Sequence, residues 1–236
     1  MPHHLRPNID YAADVLLPGD PGRALALAQQ LITEPKMSNH ARGLWGYTGE
    51  TPTGRPLSIQ STGMGGPSAA IVLRELADLG VRRAIRVGTC GALGPDLRHG
   101  DLIVAGEALA EDGASRALGA GEVAPADPDL TGRLAAAMDG APPPERIVST
   151  DLFYDDEGDT RATRPRAASW RRRGAVAVEM EAATLFTLGG RLGMATACLL
   201  AVSDTFPEGV RDRIDDEALA AAVARMGTVS VEALEG

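Results

Sequence analysis

The sequence of 236 residues predicts an α/β fold, an open sheet whose functional site lies at the carboxyl ends of its strands. Two observations predict this fold. Apolar runs typical of buried strands alternate along the chain with segments whose apolar residues recur at helical spacing. Polar and glycine-rich stretches follow the strands, and open α/β sheets bind their ligands at that edge. Since no linker or internal repeat interrupts the alternation, we expect residues 1–236 to form one domain.

Composition and charge exclude several classes of protein. The hydrophobic content of 44% and the charged content of 23% are ordinary for a globular protein. A net charge of -9 argues against nucleic-acid binding, because phosphate backbones favour basic surfaces. One basic segment, residues 161–173, directly follows an acidic one, and we expect it to form a solvated, self-neutralising helix.

The chain begins without the apolar segment of a secretory leader and has no run long enough to span a membrane, so we expect neither export nor insertion. Its two cysteines are too few for a disulfide framework and predict a reducing cytoplasm. Lys36 is the only lysine, which excludes a Walker-type phosphate loop. Any bound anion must therefore be held by arginines and backbone N–H groups.

The first predicted strand and helix enclose a turn that suits an anion. Residues 14–18 have the pattern of a short strand, and residues 24–32 have that of a helix. Gly19 and Arg23 would then lie at the N-terminus of this helix, whose partial positive charge favours anions. The alternative is an ordinary turn in which Asp20 caps the helix.

A glycine cluster follows the next strands. Residues 44–48 and 57–62 predict strands, and residues 69–79 predict a helix, whereas residues 36–42 are polar. Residues 63–68, Gly-Met-Gly-Gly-Pro-Ser, join the second strand to the helix and lack the spacing of a dinucleotide fingerprint. These glycines permit either a close backbone approach to a ligand or simply a tight turn.

The strongest anion candidate is the segment of residues 86–92, Arg-Val-Gly-Thr-Cys-Gly-Ala, which continues a buried-type strand. An arginine beside a turn with free N–H groups and the Thr89 hydroxyl can cradle an anion. In the alternative, Arg86 pairs with a surface carboxylate. No histidine is evidently placed to activate Cys90, so we expect this residue to pack as a small apolar side chain.

The second half of the chain continues the alternation. The pattern predicts strands at residues 101–105, 146–150, 175–178 and 195–202, helices at 128–138, 182–192 and 215–234, and a long loop at 111–127. Phe153 and Tyr154 suit a stacking wall for a planar ligand and the core equally well. Glu179 and Glu181 either complement the dipole of the next helix or bind sugar hydroxyls.

Six motifs, in this order, resemble those of the nucleoside phosphorylases of the bacterial hexameric purine and uridine type. They are LPGDPGR at residues 17–23, SNHARG at 38–43, TGMGGPS at 62–68, RVGTCG at 86–91, VEMEA at 178–182 and VSD at 202–204. Each motif alone is weak, but six at similar spacing are specific, and the resemblance covers essentially the whole chain. It implies a single three-layer αβα domain whose mixed central sheet is partly barrel-like.

The resemblance also implies the parts of the site. The ribose would lie on Met180 and Glu181 with Met64 nearby, and a histidine from a neighbouring subunit would reach the 5′-hydroxyl. His4 matches that histidine best, and His3 is the alternative. The phosphate site would be formed by Gly19, Arg23, Arg86 and Thr89, with Arg42 supplied by the neighbouring subunit. The base pocket would be lined by Cys90, Gly91, Phe153, Val178, Glu179 and Ser203.

In purine-type members, the aspartate at the position of Asp204 donates a proton to purine N7. Phosphate attacks C1′ of the sugar while the base departs, so arginines that position the dianion and an acid that protonates the base both assist. A general acid contributes about 10²–10⁴-fold, and Asp204 has to begin protonated or receive a proton from a neighbour. Members often assist this acid with an arginine in the following loop, where Arg211 and Arg213 are the candidates.

Three alternatives remain. Uridine phosphorylases share the glycine turns but recognise uracil with a glutamine and an arginine that follow the Phe-Tyr pair. In this chain, residues 155–161 contain no glutamine. Those enzymes also lack the acid at Asp204, so both differences favour a purine. A nucleosidase would use water and would not need the cluster of arginines. A non-catalytic nucleoside-binding protein is disfavoured by the presence of Asp204 and Glu181.

No cofactor and no metal are expected, because the four histidines lack zinc spacing and inorganic phosphate is a co-substrate. The expected partners are a purine nucleoside and phosphate, with no nucleic acid and no membrane. If Arg42 and His4 come from another chain, the active site exists only in an oligomer. The resemblance implies a hexamer built from dimers with shared sites.

Overall fold

A computed structural model describes residues 2–154, 165–207 and 210–236. The strands are β1 Asp14–Leu17, β2 Lys36–Asn39, β3 Gly46–Glu50, β4 Pro56–Gln60, β5 Arg83–Ala92, β6 Leu102–Glu111, β7 Val123–Pro125, β8 Glu145–Thr150, β9 Ala177–Glu179, β10 Ala195–Thr205 and β11 Asp212–Arg213. The helices are α1 Pro21–Leu31, α2 Gly66–Asp78, α3 Gly113–Ala117, α4 Pro128–Ala136, α5 Pro165–Arg172, α6 Ala182–Leu192 and α7 Asp216–Glu235.

All strands of these residues belong to one mixed sheet, and part of that sheet closes on itself. Its order is β11-β10-β6-β8-β9-β5-β1-β4-β3-β2, with β7 paired to β6. An additional parallel pairing of β10 with β5 closes β5, β10, β6, β8 and β9 into a ring. The open sheet expected from periodicity is therefore wrong for this half of the molecule, and the partly barrel-like sheet implied by the resemblance is confirmed.

Two layers of helices cover the sheet. Helices α1, α4 and α7 pack together against one face, and α2, α3 and α6 pack together against the other. A third core cluster includes residues of the ring strands and is dominated by alanines, among them Ala105, Ala108 and Ala177. Small side chains suit this position because a five-stranded ring has a narrower interior than the eight-stranded barrels that large side chains fill.

Three predictions about local structure need correction. The predicted loop at residues 111–127 contains α3 and β7, because Asp112 caps α3 and residues 123–125 pair with β6. The polar residues 36–39 form the edge strand β2. The strand predicted at residues 101–105 continues to Glu111, since β6 pairs with β10 over its first half and with β8 over its second.

The arginine-rich segment is only partly described. Residues 155–164, which include its acidic neighbour and the region that separates uridine from purine enzymes, lie outside the described residues. In the described part, Arg173 binds Glu111 at 2.7 Å and Glu122 at 2.9 Å. At least this arginine is paired with carboxylates of distant segments.

The fold brings the predicted motifs to one edge of the sheet. Strands β4, β1, β5 and β10 run parallel to one another, so their carboxyl ends meet there. In the pairing of β10 with β5, Val202 lies opposite Cys90 and Asp204 lies opposite Gly91, which leaves Ser203 as an extra residue. Such a β-bulge re-aims the side chains beside it, here at the end of the strand that carries Asp204.

Candidate active site

One cavity of about 360 Å³ lies at this edge and collects nearly all the residues that the sequence indicated. Its volume is within the range of small-molecule sites. The predicted residues that line it are Gly19, Arg23, Met64, Arg86, Thr89, Cys90, Gly91, Phe153, Val178, Glu179, Met180, Glu181, Ser203, Asp204 and Arg211. The lining also includes Asp20, Pro21, Gly63 and Phe206.

Arg86 is a buried arginine of β5 that is held by two carboxylates. Its Nε donates to Glu179 Oε2 at 3.0 Å, and its Nη2 lies 2.5 Å from Glu181 Oε2. Burial alone would lower the pKa of Arg86, but Glu181 and Glu179 outweigh burial and raise it. Its Nη1 is buried and has no partner among the described residues, so one donor remains for a ligand.

Gly88 provides the space that the Arg86 guanidinium occupies. A Cβ at Gly88 would lie 2.8 Å from both Cζ and Nη2 of Arg86. This guanidinium cannot simply move aside, because its two ion pairs fix it from the other side. The turn predicted within residues 86–92 is instead part of β5, because Gly88 and Thr89 pair with β10. Gly88 is required there by the position of the arginine two residues before it.

Arg23 is the second cation of the cavity and begins α1. Asp20 caps this helix by accepting a hydrogen bond from the Arg23 N–H at 2.8 Å. The capping role that the sequence offered as the alternative for this turn is therefore confirmed. Arg23 Nη1 is also buried without a partner among the described residues. Burial and then the charge of Arg86 lower the pKa of Arg23. Two like charges with open donors at one cavity indicate an anion site.

Glu179 confirms the helix-start interpretation of the glutamates and also holds Arg86. Its carboxylate accepts hydrogen bonds from the N–H groups of Glu181 and Ala182, at the start of α6, and from Ser149 Oγ. Burial raises the pKa of Glu179, although the Arg86 charge opposes this. It therefore stabilises the start of the helix and the buried arginine together.

Glu181 links the glycine cluster to the same arginine. Its Oε1 accepts a hydrogen bond from the Gly65 N–H, and its Oε2 pairs with Arg86. Gly65 precedes α2 with a φ of +84°, a conformation that glycine adopts without strain. The glycine cluster thus presents a backbone donor to a carboxylate of the cavity.

Asp204 lies at the other side of the cavity and is held by two donors. Ser203 Oγ donates to Asp204 Oδ2 at 2.6 Å, and Arg211 Nε donates to Asp204 Oδ1 at 2.8 Å. The Arg211 guanidinium also lies 5.0 Å from the centre of the Phe153 ring. Of the two arginines indicated by the sequence, Arg211 is the one that contacts the aspartate, whereas Arg213 is exposed.

Two residues near Asp204 were not predicted. His99 Nε2 lies 3.0 Å from the Asp212 carbonyl oxygen and 3.2 Å from Thr205 Oγ1, where it joins β10 to β11. The Phe206 ring comes within 3.3 Å of a Cβ position built on Gly91. An aromatic residue two positions after the acid, in a chain with only three phenylalanines, was the signal available for Phe206.

The remaining residues of the cavity are mainly apolar. Phe153 lines the cavity and meets Tyr154 edge to face at 4.9 Å, whereas Tyr154 is 68% exposed. Of these two aromatic residues, only Phe153 lines the cavity, and Tyr154 lies neither in the cavity wall nor in the core. Burial raises the pKa of the Cys90 thiol, which agrees with packing rather than nucleophilic attack.

His4 and Arg42 lie elsewhere, in a second cavity of about 300 Å³ that is also lined by Arg6, His40 and Ala41. Arg42 has a φ of 60°, which is uncommon for a residue other than glycine. Neither residue is among those that line the first cavity. The single chain therefore does not bring them to the residues with which the resemblance groups them.

The described part of the chain contains no group of three or more His, Cys, Asp or Glu residues arranged to hold a metal ion. Within the same residues, no helix combines the length and the apolar character needed to cross a membrane.

Fold and cavity together define an α/β protein in which two arginines, one from α1 and one from β5, line a largely apolar pocket with a hydrogen-bonded carboxylate. The chain belongs to the phosphorylase superfamily, whose family model matches residues 14–235. Similar proteins include the DeoD-type purine nucleoside phosphorylases of Clostridium novyi, 39% identical over 85% of both chains, and of Geobacillus kaustophilus, 39% identical over 83% of this chain and 82% of the relative. The DeoD-type purine nucleoside phosphorylase of Caldanaerobacter subterraneus is 37% identical over 85% of this chain and 86% of the relative.

The space at Gly88 gives a direct test of the anion site. We expect Gly88→Ala to weaken binding of inorganic phosphate by about tenfold, because the added methyl group displaces a guanidinium that donates a charge-assisted hydrogen bond. Calorimetric titration of phosphate measures this. Gly132→Ala is the matched control, since nothing lies within 4 Å of a Cβ at Gly132. Equal phosphate affinity in both variants would contradict the role given to Gly88.

Proposed function

We propose that this protein catalyses the reversible, phosphate-dependent cleavage of purine ribonucleosides and deoxyribonucleosides to the free base and the pentose 1-phosphate. One observation carries the proposal: Arg23 and Arg86 both leave a buried guanidinium nitrogen without a partner among the described residues, at a cavity that also holds Asp204. The relatives named as purine nucleoside phosphorylases support the substrate class.

Phosphate binds at the charged end of the cavity. Arg23 and Arg86 donate to its oxygens, together with Thr89 and the backbone around Gly19, which also line the cavity. Arginine is suited to this task because its planar fork matches phosphate oxygens. The site holds the nucleophile in line with C1′ and so lowers the entropic part of the barrier.

The sugar lies between phosphate and base, on Met180 and Glu181 with Met64 beside it. Glu181 places a negative charge near a ribose that becomes oxocarbenium-like as the base departs, and this charge stabilises the transition state. Since Glu181 is already fixed by Gly65 and Arg86, it does not have to reorganise during the reaction.

The base occupies the apolar end, next to Phe153, Val178 and Phe206. Asp204 donates a proton to N7 of the departing purine and becomes a carboxylate. Arg211 and Ser203 already donate hydrogen bonds to its two oxygens, so the charge that develops on Asp204 is met by donors in place.

An oligomer completes the site. Besides Asp204, which acts as a neutral acid, the first cavity is lined by three carboxylates, Asp20, Glu179 and Glu181, and by three guanidinium groups, Arg23, Arg86 and Arg211. A phosphate dianion needs more positive charge than this balance supplies. Arg42 of a neighbouring subunit provides it, and His4 of that subunit reaches the sugar. The expected assembly is a hexamer built from dimers that share their sites, formed by single-domain chains.

Neither a metal nor a cofactor takes part in this mechanism, since arginines and a carboxylate supply the charge and the proton. The compartment we propose is the cytoplasm. Cys90 and Cys198 are both free and buried, which agrees with a reducing environment.

A panel of nucleosides tests the reaction class. We expect inosine or adenosine to be cleaved only when inorganic phosphate is present, with pentose 1-phosphate as product, and uridine to be cleaved much more slowly. Release of base is followed by absorbance, and the sugar product is identified by phosphorus NMR. Equal rates in phosphate-free buffer would indicate a nucleosidase, and turnover of uridine alone would indicate a pyrimidine enzyme.

The proton donor is tested by a substrate that does not need a proton. We expect Asp204→Asn to lower kcat for inosine by about 10²–10⁴-fold, because the amide cannot protonate N7. Activity on 7-methylguanosine, whose base already carries a positive charge, should be almost unchanged. Asp139→Asn, at an exposed aspartate away from the cavity, is the control. A similar loss on both substrates would show that Asp204 acts in binding rather than as the acid.

Mixed oligomers test the shared site. Arg42→Ala and Asp204→Asn chains should each be inactive on inosine. After subunit exchange, about a quarter of the sites should combine an intact Asp204 with an intact neighbouring Arg42, if the sites are shared between two chains. Activity of the mixture above that of either variant measures this. If mixing restores nothing, Arg42 does not act in its neighbour's site.

A further inference from the structure

A single carboxylate on α2 holds the N-terminal segment of the chain. Glu75 Oε1 accepts hydrogen bonds from the N–H groups of His3 at 2.9 Å and His4 at 3.0 Å, and Oε2 accepts one from Leu5 at 2.7 Å. The ring of His4 joins them, since its Nδ1 lies 2.8 Å from Glu75 Oε1. Three successive backbone donors and one imidazole nitrogen thus converge on one buried side chain.

Glu75 is negatively charged in this arrangement. Burial alone would raise its pKa, but hydrogen bonds from Leu5, His4 and His3 outweigh burial and lower the pKa to about 2. The group is therefore ionised from neutral pH down to strongly acidic conditions. An ionised carboxylate accepts hydrogen bonds and cannot donate them.

The charge of Glu75 decides which ring nitrogen of His4 carries hydrogen. Because Glu75 only accepts, Nδ1 of His4 must be the donor in their contact. In a neutral imidazole the other nitrogen, Nε2, then has the free lone pair. No described residue contacts Nε2 within hydrogen-bond distance, and the His4 side chain is one-third exposed. The ring thus presents an acceptor, in a fixed orientation, to a partner outside its own chain.

The surroundings of His4 place this acceptor beside Arg42. Both residues line the second cavity, together with Arg6 and His40. Arg42 is the cation that the proposed function gives to the neighbouring site, so a residue that shares its cavity faces the same neighbour. The Leu5 side chain, fully buried directly after His4, anchors the segment from within the core.

We propose that Glu75 is a positioning residue that orients His4 as a hydrogen-bond acceptor for the 5′-hydroxyl of a nucleoside bound in the neighbouring subunit. This inference rests on the proposed function and deepens it. It predicts that the preference for nucleosides with a 5′-hydroxyl over their 5′-deoxy analogues depends on Glu75, a residue that does not contact the substrate. A hydroxyl can donate to Nε2, whereas a 5′-methyl group cannot.

The experiment compares inosine with 5′-deoxyinosine. In Glu75→Gln, an amide NH₂ replaces one of the two accepting oxygens, so it opposes the donors of the N-terminal segment and the ring loses its fixed orientation. We expect kcat/KM for inosine to fall by about tenfold, the effect of one lost hydrogen bond to a polar partner. The value for 5′-deoxyinosine should not change, and His4→Ala should show the same selective loss.

Two controls separate this role from a general structural one. Asp78→Asn makes the same carboxylate-to-amide change one turn further along α2, at an exposed side chain that pairs with Arg74, and should leave both substrates unaffected. The double variant of Glu75→Gln and His4→Ala should lose no more than His4→Ala alone, because both changes remove one interaction. Equal losses on both substrates, or additive losses in the double variant, would overturn the proposal.

The design keeps the two proposals apart. If the unchanged protein cleaves neither inosine nor adenosine with phosphate, the proposed function fails. If it cleaves inosine and Glu75→Gln keeps the original ratio of kcat/KM between inosine and 5′-deoxyinosine, only the proposed role of Glu75 is wrong. Should Glu75→Gln not fold, Glu75→Asp keeps the charge but shortens its reach, and we expect a partial, inosine-selective loss. Unaltered discrimination in Glu75→Asp would then overturn the proposal.

Discussion

The structure of the site depends on one buried ion cluster, in which Arg86 is held between Glu179 and Glu181. A guanidinium taken out of water is costly unless carboxylates and hydrogen bonds compensate it. The antiparallel pairing of β5 with β9 brings the carboxylates to the arginine, and Ser149 and the first turn of α6 hold Glu179 in place. The same cluster that stabilises these strand ends leaves Nη1 of Arg86 for a ligand, so the fold and the anion site share their charges.

Asp204 is positioned by residues close to it in sequence, unlike Arg86. Its position comes from the bulge at Ser203, and its partners, Ser203 and Arg211, are close to it in sequence. Arg86 instead depends on residues almost a hundred positions away. The anion site that we propose therefore forms only when the ring of strands closes, whereas Asp204 lies in the local strand pair of β10 with β11 and Arg211 directly precedes β11.

This difference explains what the sequence predicted and what it did not. The six motifs are local signals, and the resemblance that rests on them grouped fifteen residues that the structure brings to one cavity. Closure of the ring is a pairing of distant strands, β5 with β10, that hydrophobic periodicity cannot encode. Strand β7 was missed because its residues 123–125 are stabilised by β6 rather than by their own pattern. The role of Glu75 was hidden for the same reason, since a glutamate on a helix normally faces solvent.

On the proposed function, charge balance explains why one chain would not be sufficient. With Asp204 as a neutral acid, three carboxylates face three guanidinium groups around the cavity, so the protein alone is close to neutral there, and phosphate would add two negative charges. Two further cations, Arg42 and Arg6, lie in the second cavity with His4. Arg42 is held there in a left-handed conformation that costs free energy, and such strain persists where the surrounding structure or a function requires it. A cation in a costly conformation, outside the anion site of its own chain, is best explained by an anion site in another.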